Sequence, residues 1–197
     1  MPQFIENGPD IPEDLIYALK AQKLVFFCGA GISMYTGLPN FKGLVENIIL
    51  KLNLPEGSHE KKLLKEECYD ELLNYLEQKY QPGQIRQLVS EVLSVPYKNK
   101  LDFHEAILDL SKSKNGYRLV TTNFDNRFLE TRKINHNNIH IAPALPIPDS
   151  NSWHSVVHLH GLLNLNNDSN DYNLLNLVLT SADFGNALLN AKNLNLV

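Results

Sequence analysis

The sequence predicts an α/β fold with a mostly parallel sheet, on three observations. An unbroken apolar run, Leu24-Val25-Phe26-Phe27-Cys28, is closed by Gly29-Ala30-Gly31. A continuous apolar run ending in a glycine turn is the pattern of a buried parallel strand. Further short strand patterns, Tyr117 to Thr122, Ile139 to Ile141, Val156 to His160 and Leu177 to Thr180, come later. Stretches with helical spacing stand between them, and strands alternating with helices give a parallel sheet.

The elements follow in order. Pro12 to Ala21 reads as a short helix, with Pro12 at the first helical position and Glu13 and Asp14 in the first turn. The apolar run is the first strand. Gly37 and Pro39 break the chain, and Phe41 to Leu52 is helical by periodicity. From Lys61 to Leu93 leucines recur at three and four spacing, interrupted at Pro82-Gly83. This reading puts Cys68 inside a helix. His104 to Ser111 forms another helix, with His104 at its start and on the surface. Roughly 70 helical residues thus separate the first two strands, far more than one crossover needs. A single domain spanning 1–197 with a helical insertion at about 42–111 is the expected organisation. The final stretch, Asn164 to Asn195, holds ten asparagines in 32 residues. Asn favours turns, so a loop is expected around Asn164 to Asn173, and no closing helix and strand is evident before Val197. That leaves two readings, a truncated C-terminal part or a sheet completed by a partner.

Composition narrows the function classes. The chain has 197 residues, 43% hydrophobic and 20% charged, with a net charge of −4. Its basic residues are scattered, so direct nucleic-acid or anionic-membrane binding is not expected. Two cysteines, Cys28 and Cys68, can build neither a four-thiolate zinc site nor a disulfide scaffold. The first ten residues lack a basic, then apolar, leader pattern, and the default location is cytoplasmic.

Three places carry chemistry. After the first strand, Gly29-Ala30-Gly31-Ile32-Ser33 lets backbone approach a phosphate; the alternative is a plain strand-to-helix turn. The G-x-G-x-x-G pattern is incomplete, since Met34 holds the third glycine's place. Thr122-Asn123-Phe124-Asp125 follows the second strand at its carboxyl end, where open α/β sheets bind ligands. The alternative there is a helix cap, with Thr122 or Asn123 at the N-cap and Asp125 in the first turn. His158 and His160 alternate with Leu159 and precede Gly161. They read as a base near neutral pH, as two satisfied core imidazoles, or as a metal pair lacking a third ligand. All three places fall at carboxyl ends of strands of one sheet, which caps and turns alone explain poorly.

In order and spacing, Gly29-Ala30-Gly31-Ile32-Ser33, Gly37-Leu38-Pro39-Asn40-Phe41, Thr122-Asn123-Phe124-Asp125 and His160-Gly161 resemble the sirtuin motif series. The resemblance covers about residues 20–185. It looks closer to the bacterial sirtuin-like domains of anti-phage defence systems than to the protein deacetylases. Deacetylases carry a four-cysteine zinc ribbon, which two cysteines cannot supply. Their G-I-P-D-F-R motif appears here as Gly37-Leu38-Pro39-Asn40-Phe41-Lys42, and Arg to Lys is not a neutral change where a planar fork is used.

The resemblance implies a Rossmann-like sheet with helices on both faces, NAD+ as substrate, and no metal. It implies cleavage of the nicotinamide–ribose bond to nicotinamide and ADP-ribose, through an oxocarbenium-like state as in glycoside hydrolysis. Asn123, Asp125 and His160 would be catalytic: Asn123 positions ribose or water, Asp125 holds the carboxamide, and His160 bonds a ribose hydroxyl and acts as base. Gly29, Ala30, Gly31, Ser33, Phe41, Thr122 and Gly161 would bind the dinucleotide, with Phe41 covering the nicotinamide pocket. The implied partners are a homo-oligomer and a HerA-type ATPase or another defence component. The alternatives are an NAD+-dependent protein deacetylase, and a non-catalytic NAD+ or ADP-ribose-binding subunit.

Overall fold

The computed structural model describes residues 6, 8–55, 57–96, 98–146, 154–163 and 174–194. It is an α/β fold around a mostly parallel, Rossmann-like sheet. The strands are β1 (Phe26–Cys28), β2 (Lys112–Ser113), β3 (Gly116–Thr121), β4 (Ile139–Ile141) and β5 (Ser155–His158). Their order is β1-β3-β5-β4, and β2 adds to β3. Every pair is parallel except β2 with β3.

Register decides where the site sits. Cys28 pairs with Thr121, Thr121 with His158, and His158 with Ile141. The segments that follow β1, β3 and β5 therefore leave the sheet at one level, side by side. Alternation along β3 buries Tyr117, Leu119 and Thr121. Leu119 joins Val156 beneath Leu108 of α7 (Asp102–Ser111) and Phe128 of α8 (Arg127–Glu130) in one apolar cluster.

A second, larger cluster lies beyond the carboxyl edge. It is built by α3 (Phe41–Leu52), α5 (Tyr69–Lys79) and α6 (Gln84–Leu93), with the short α4 (His59–Lys65) alongside. Leu44, Val45, Ile48 and Ile49 form one stripe on α3, and Leu72, Leu73 and Leu76 another on α5. Phe124, Leu163, Leu177 and Leu179, from loops at the strand ends, enter the same cluster. Helices and sheet are thus joined at the edge from which the loops emerge.

Several expectations are corrected. Lys61 to Leu93 folds as three helices, and Cys68 occupies the N-cap position of α5, not its interior. Pro12 is the N-cap of α1 (Glu13–Lys20), one place before the position expected of it. The first strand is shorter than its apolar run and is not buried throughout: Phe27 is 66% exposed and only Cys28 is buried. Nothing pairs with the outer edge of β1 among the described residues.

Leu177 to Thr180 is buried but is not a strand. Side chains satisfy part of its polar backbone: the Leu177 carbonyl accepts from Arg86, and the Leu179 and Thr180 amides donate to Asp183 Oδ2. Those last bonds start helix α9 (Ser181–Leu194), which the sequence reading did not expect. Thr180 Oγ1 accepts from the Asp183 amide, and the Asp183 carboxylate accepts from the Thr180 amide. This reciprocal cap nucleates a helix despite the Asn-rich sequence. The loop expected at Asn164 to Asn173 lies outside the described residues. No described helix is long and apolar enough to cross a membrane.

Candidate functional site

Three loops build the site. The first follows β1: the Ser33 and Met34 amides donate to the Ala30 carbonyl and start α2 (Gly31–Met34). The Ser33 amide is thus committed within the turn, and its hydroxyl is what reaches inward. The second follows β3: Asp125 Oδ1 accepts from the Arg127 amide at 3.1 Å and starts α8. Asn126 takes the N-cap position there, so Thr122, Asn123 and Asp125 all precede the helix, and Asp125 is not in its first turn. The third follows β5, which ends at His158, so that His160 lies in the turn beyond the strand. Gly161 has φ of 89°, and a Cβ there would lie 3.0 Å from the Asn176 carbonyl. Only glycine makes that turn without strain.

Main-chain bonds lock the loops together. The Thr122 amide donates to Cys28, Leu159 to Thr121, Leu163 to Phe124, and Val178 to the His160 carbonyl. Between them lies a cavity of about 220 Å³. Ala30, Ser33, Phe41, Thr122, Asn123, Asp125 and His160 line it together with Leu44 and Leu93 from the helices and Val178 and Phe184 from the C-terminal segment. Seven of the ten residues singled out from sequence therefore share one wall. Gly29 and Gly31 instead border a depression on the other side of the glycine turn, and Gly161 lies behind His160 against Leu177. Asn40 caps α3 by accepting from the Gly43 amide at 2.8 Å. Lys42 points to Glu67 at the surface, 3.3 Å away, and not into the cavity.

The floor is a buried polar cluster. Asn123 Nδ2 donates to Ser33 Oγ at 3.0 Å, and Ser33 Oγ meets His104 Nε2 at 3.3 Å. Asn123 Oδ1 is buried and has no partner among the described residues. His158 Nδ1 faces the Asn123 carbonyl at 3.3 Å, so His158 supports the second loop from beneath. Burial pushes the His158 imidazole down to about 4, with the Asn123 carbonyl opposing, and leaves it neutral. Burial also raises Asp125 above the usual carboxylate range, while hydrogen bonds from the Ser33 hydroxyl and the Arg127 amide pull it back. His160 is held below its ordinary value by burial, with a bond to the Thr122 backbone opposing. Its ring meets Phe184 edge-on at 5.1 Å. A neutral imidazole beside an apolar wall can accept a proton at neutral pH.

His104 was expected on the surface at a helix start. It is fully buried on α7, and burial and the nearby Arg127 charge push it down to about 4. The signal was present in the sequence: His104, Leu108 and Ser111 recur at four and three spacing, one helical face, and all three are buried. Phe184 and Val178 had no such signal, because they reach the cavity only through the path of the C-terminal segment. Both cysteines are free thiols, and burial pushes the Cys28 thiol up. No group of three or more metal-ligating side chains is gathered among the described residues.

No protein-family model matches the chain. It is similar to the uncharacterized protein y4cA of Sinorhizobium fredii, 33% identical over 192 residues, which covers 93% of this chain and 16% of that protein. It is also similar to the NAD-dependent protein deacetylase hst4 of Schizosaccharomyces pombe, 31% identical over 149 residues, covering 73% of this chain and 32% of that protein. The chain thus spans well under half the length of either curated relative. The second similarity supports a sirtuin-like fold.

Proposed function

We propose that the chain is a sirtuin-like NAD+ hydrolase, releasing nicotinamide and ADP-ribose with water as acceptor. The observation that carries this reading is Asn123. Its Oδ1 is buried and unpartnered on the wall of a cavity that also holds His160 and Asp125. An unsatisfied buried acceptor needs a ligand donor, such as a ribose hydroxyl, a carboxamide or a water.

The residues present fit one end of a dinucleotide. The cavity is smaller than the roughly 300–1,000 Å³ of a drug-sized ligand site, so it suits the nicotinamide riboside end rather than the whole molecule. Phe41, Leu44 and Phe184 supply apolar walls for a flat ring. Asp125 would accept from the carboxamide, Asn123 would orient ribose or water, and His160 would take a proton from a hydroxyl. Ala30 and Thr122 would face the ribose and phosphate side, with Gly29, Gly31 and Gly161 shaping the loops. NAD+ brings its own leaving group, a cationic nicotinamide whose departure makes the anomeric carbon electrophilic. The chain's part is to bind, orient and accept one proton.

A second reading, an NAD+-dependent protein deacetylase, is supported by the relative of that name. The motif resemblance favours the hydrolase, together with its setting as the NAD+-depleting effector of a bacterial anti-phage defence system. A homo-oligomer, a HerA-type ATPase partner and a cytoplasmic site of action belong to the same reading.

The test is incubation of the purified chain with NAD+, with and without an acetylated peptide, followed by chromatography. Nicotinamide and ADP-ribose without peptide support the hydrolase. Peptide-dependent release with O-acetyl-ADP-ribose identifies a deacetylase. Absence of turnover, with calorimetric binding of NAD+ or ADP-ribose, leaves a binding subunit. Asn123→Ala and His160→Ala should each cut cleavage by about a hundredfold or more; full activity in both would overturn the assignment.

A further inference from the structure

Of the two histidines that alternate with Leu159, the proposed function uses only His160. They part at the strand end. His160 lies in the turn and lines the cavity, whereas β5 stops at His158, which is fully buried. His158 Nδ1 lies 3.3 Å from the Asn123 carbonyl, and its Nε2 is buried without a partner among the described residues.

These contacts assign the tautomer. A carbonyl oxygen can only accept, so the bond to Asn123 places the proton on Nδ1. Nε2 is left with a bare lone pair, the milder defect. The opposite tautomer would set a lone pair against the carbonyl and bury an N–H with no acceptor, two defects instead of one.

The other half of the Asn123 main chain is held in the same way. Its amide donates to Thr121 Oγ1 at 3.1 Å. Thr121 and His158 are the last residues of β3 and β5, pair in register, and are both fully buried. One rung of the sheet therefore grips Asn123 at its amide and at its carbonyl. Asn123 lies between the end of β3 and the N-cap Asn126, so neither the strand ladder nor helix α8 fixes its backbone.

We propose that His158 is a positioning residue of this site, whose Nδ1–H fixes the Asn123 carbonyl and, with Thr121, aims the Asn123 side chain into the cavity. The side chain then needs one further bond, from Nδ2 to Ser33 Oγ at 3.0 Å, to leave Oδ1 as its free acceptor. His158 acts through Asn123 and touches no substrate.

The first test uses no ligand and does not rest on the NAD+ hydrolase reading. Long-range proton–nitrogen NMR of the wild-type chain reads the His158 tautomer: Nδ1–H is expected, and Nε2–H overturns the proposal. The Asn123 carbonyl carbon resonance is then compared in His158→Asn and His158→Leu. Asn places an amide N–H where the ring has Nδ1; Leu fills the space with no donor. The resonance should move in the Leu variant and return toward wild type in the Asn variant. Equal displacement in both would reduce His158 to packing. The second test is kinetic and rests on that reading. His158→Leu should lower kcat about tenfold with KM little changed, the scale of one lost hydrogen bond, and His158→Asn should recover most of it. Packing alone ranks the two the other way, because Leu fills a buried apolar site better than Asn; a Leu variant at least as active as the Asn variant overturns the proposal. Should neither variant fold, the wild-type tautomer decides. Should wild type not cleave NAD+, the proposed function fails, and the NMR test still decides the role of His158.

Discussion

Arg86 holds the C-terminal wall of the cavity, and its removal gives a magnitude that can be worked out. The guanidinium, 6% exposed, forms ion pairs with Glu77 Oε1 and Asp183 Oδ2, each at 2.7 Å, and donates to Glu77 Oε2 at 3.3 Å and to Asp183 Oδ2. It also donates to the carbonyls of Leu174 at 2.9 Å and Leu177 at 2.7 Å. Arg86→Met keeps the aliphatic stem and deletes the fork. Each charge-assisted bond is worth about 1.5–3 kcal/mol. The lower figure applies, because the Glu77 and Asp183 side chains are 25% and 21% exposed and water replaces part of the loss. Asp183 also keeps the Leu179 and Thr180 amides. The two ion pairs together give about 3 kcal/mol, which for a chain of this length lowers Tm by about 6–12 °C. Urea and thermal denaturation measure the loss. Hydrogen exchange should localise it, with the Val178, Leu179 and Thr180 amides opening first. Asp183→Asn in the Arg86→Met background should cost less than Asp183→Asn alone, since the two share one contact. A loss under about 1 kcal/mol, or additive effects, would refute the latch.

Other expectations are shorter. His104 and His158 both sit near 4 in the fold against an unfolded value near 6.5. For each, a depressed folded value means stability is complete above about 6.5 and is lost as pH falls toward about 4, by about 3 kcal/mol per histidine. Asp125, raised by burial, acts in the opposite sense, its contribution being lost as pH rises. Urea midpoints that stay flat between pH 7 and pH 4 would contradict the two buried neutral rings. If His160 is the base, the acid limb of kcat lies below the ordinary histidine value, because burial lowers it; a limb above pH 7 would exclude that role. Gly161→Ala places a Cβ against the Asn176 carbonyl and Leu177 at positive φ. It should cost about 1–3 kcal/mol in denaturation, and an unchanged midpoint would show that the turn tolerates a side chain.

Much of this chain could be read from local pattern. The glycine turn after an apolar run, Thr122-Asn123-Phe124-Asp125 after the second strand and the histidine before Gly161 are short-range signals. In a parallel sheet each strand points the same way, so such signals fall at one edge without knowledge of the packing. The α3 boundaries follow from the Asn40 cap and the left-handed Asn53. The reciprocal Thr180–Asp183 cap was equally local and was hidden by the asparagines around it. His104 is intermediate: its helical spacing with Leu108 and Ser111 marks a buried face but not what it touches.

By itself, then, the sequence determined the strand-end motifs and their shared edge, because side-chain alternation and turn chemistry depend on neighbours a few residues away. Tertiary structure alone decided the rest. It made Leu177 to Thr180 a clamped loop instead of a strand, with Arg86 and Asp183 bonded to its backbone. It brought Phe184 across from the C-terminal helix and joined His104 to Ser33 over 71 residues. Contacts of that kind depend on which helix packs against which strand end, and on the free energy of burying them together.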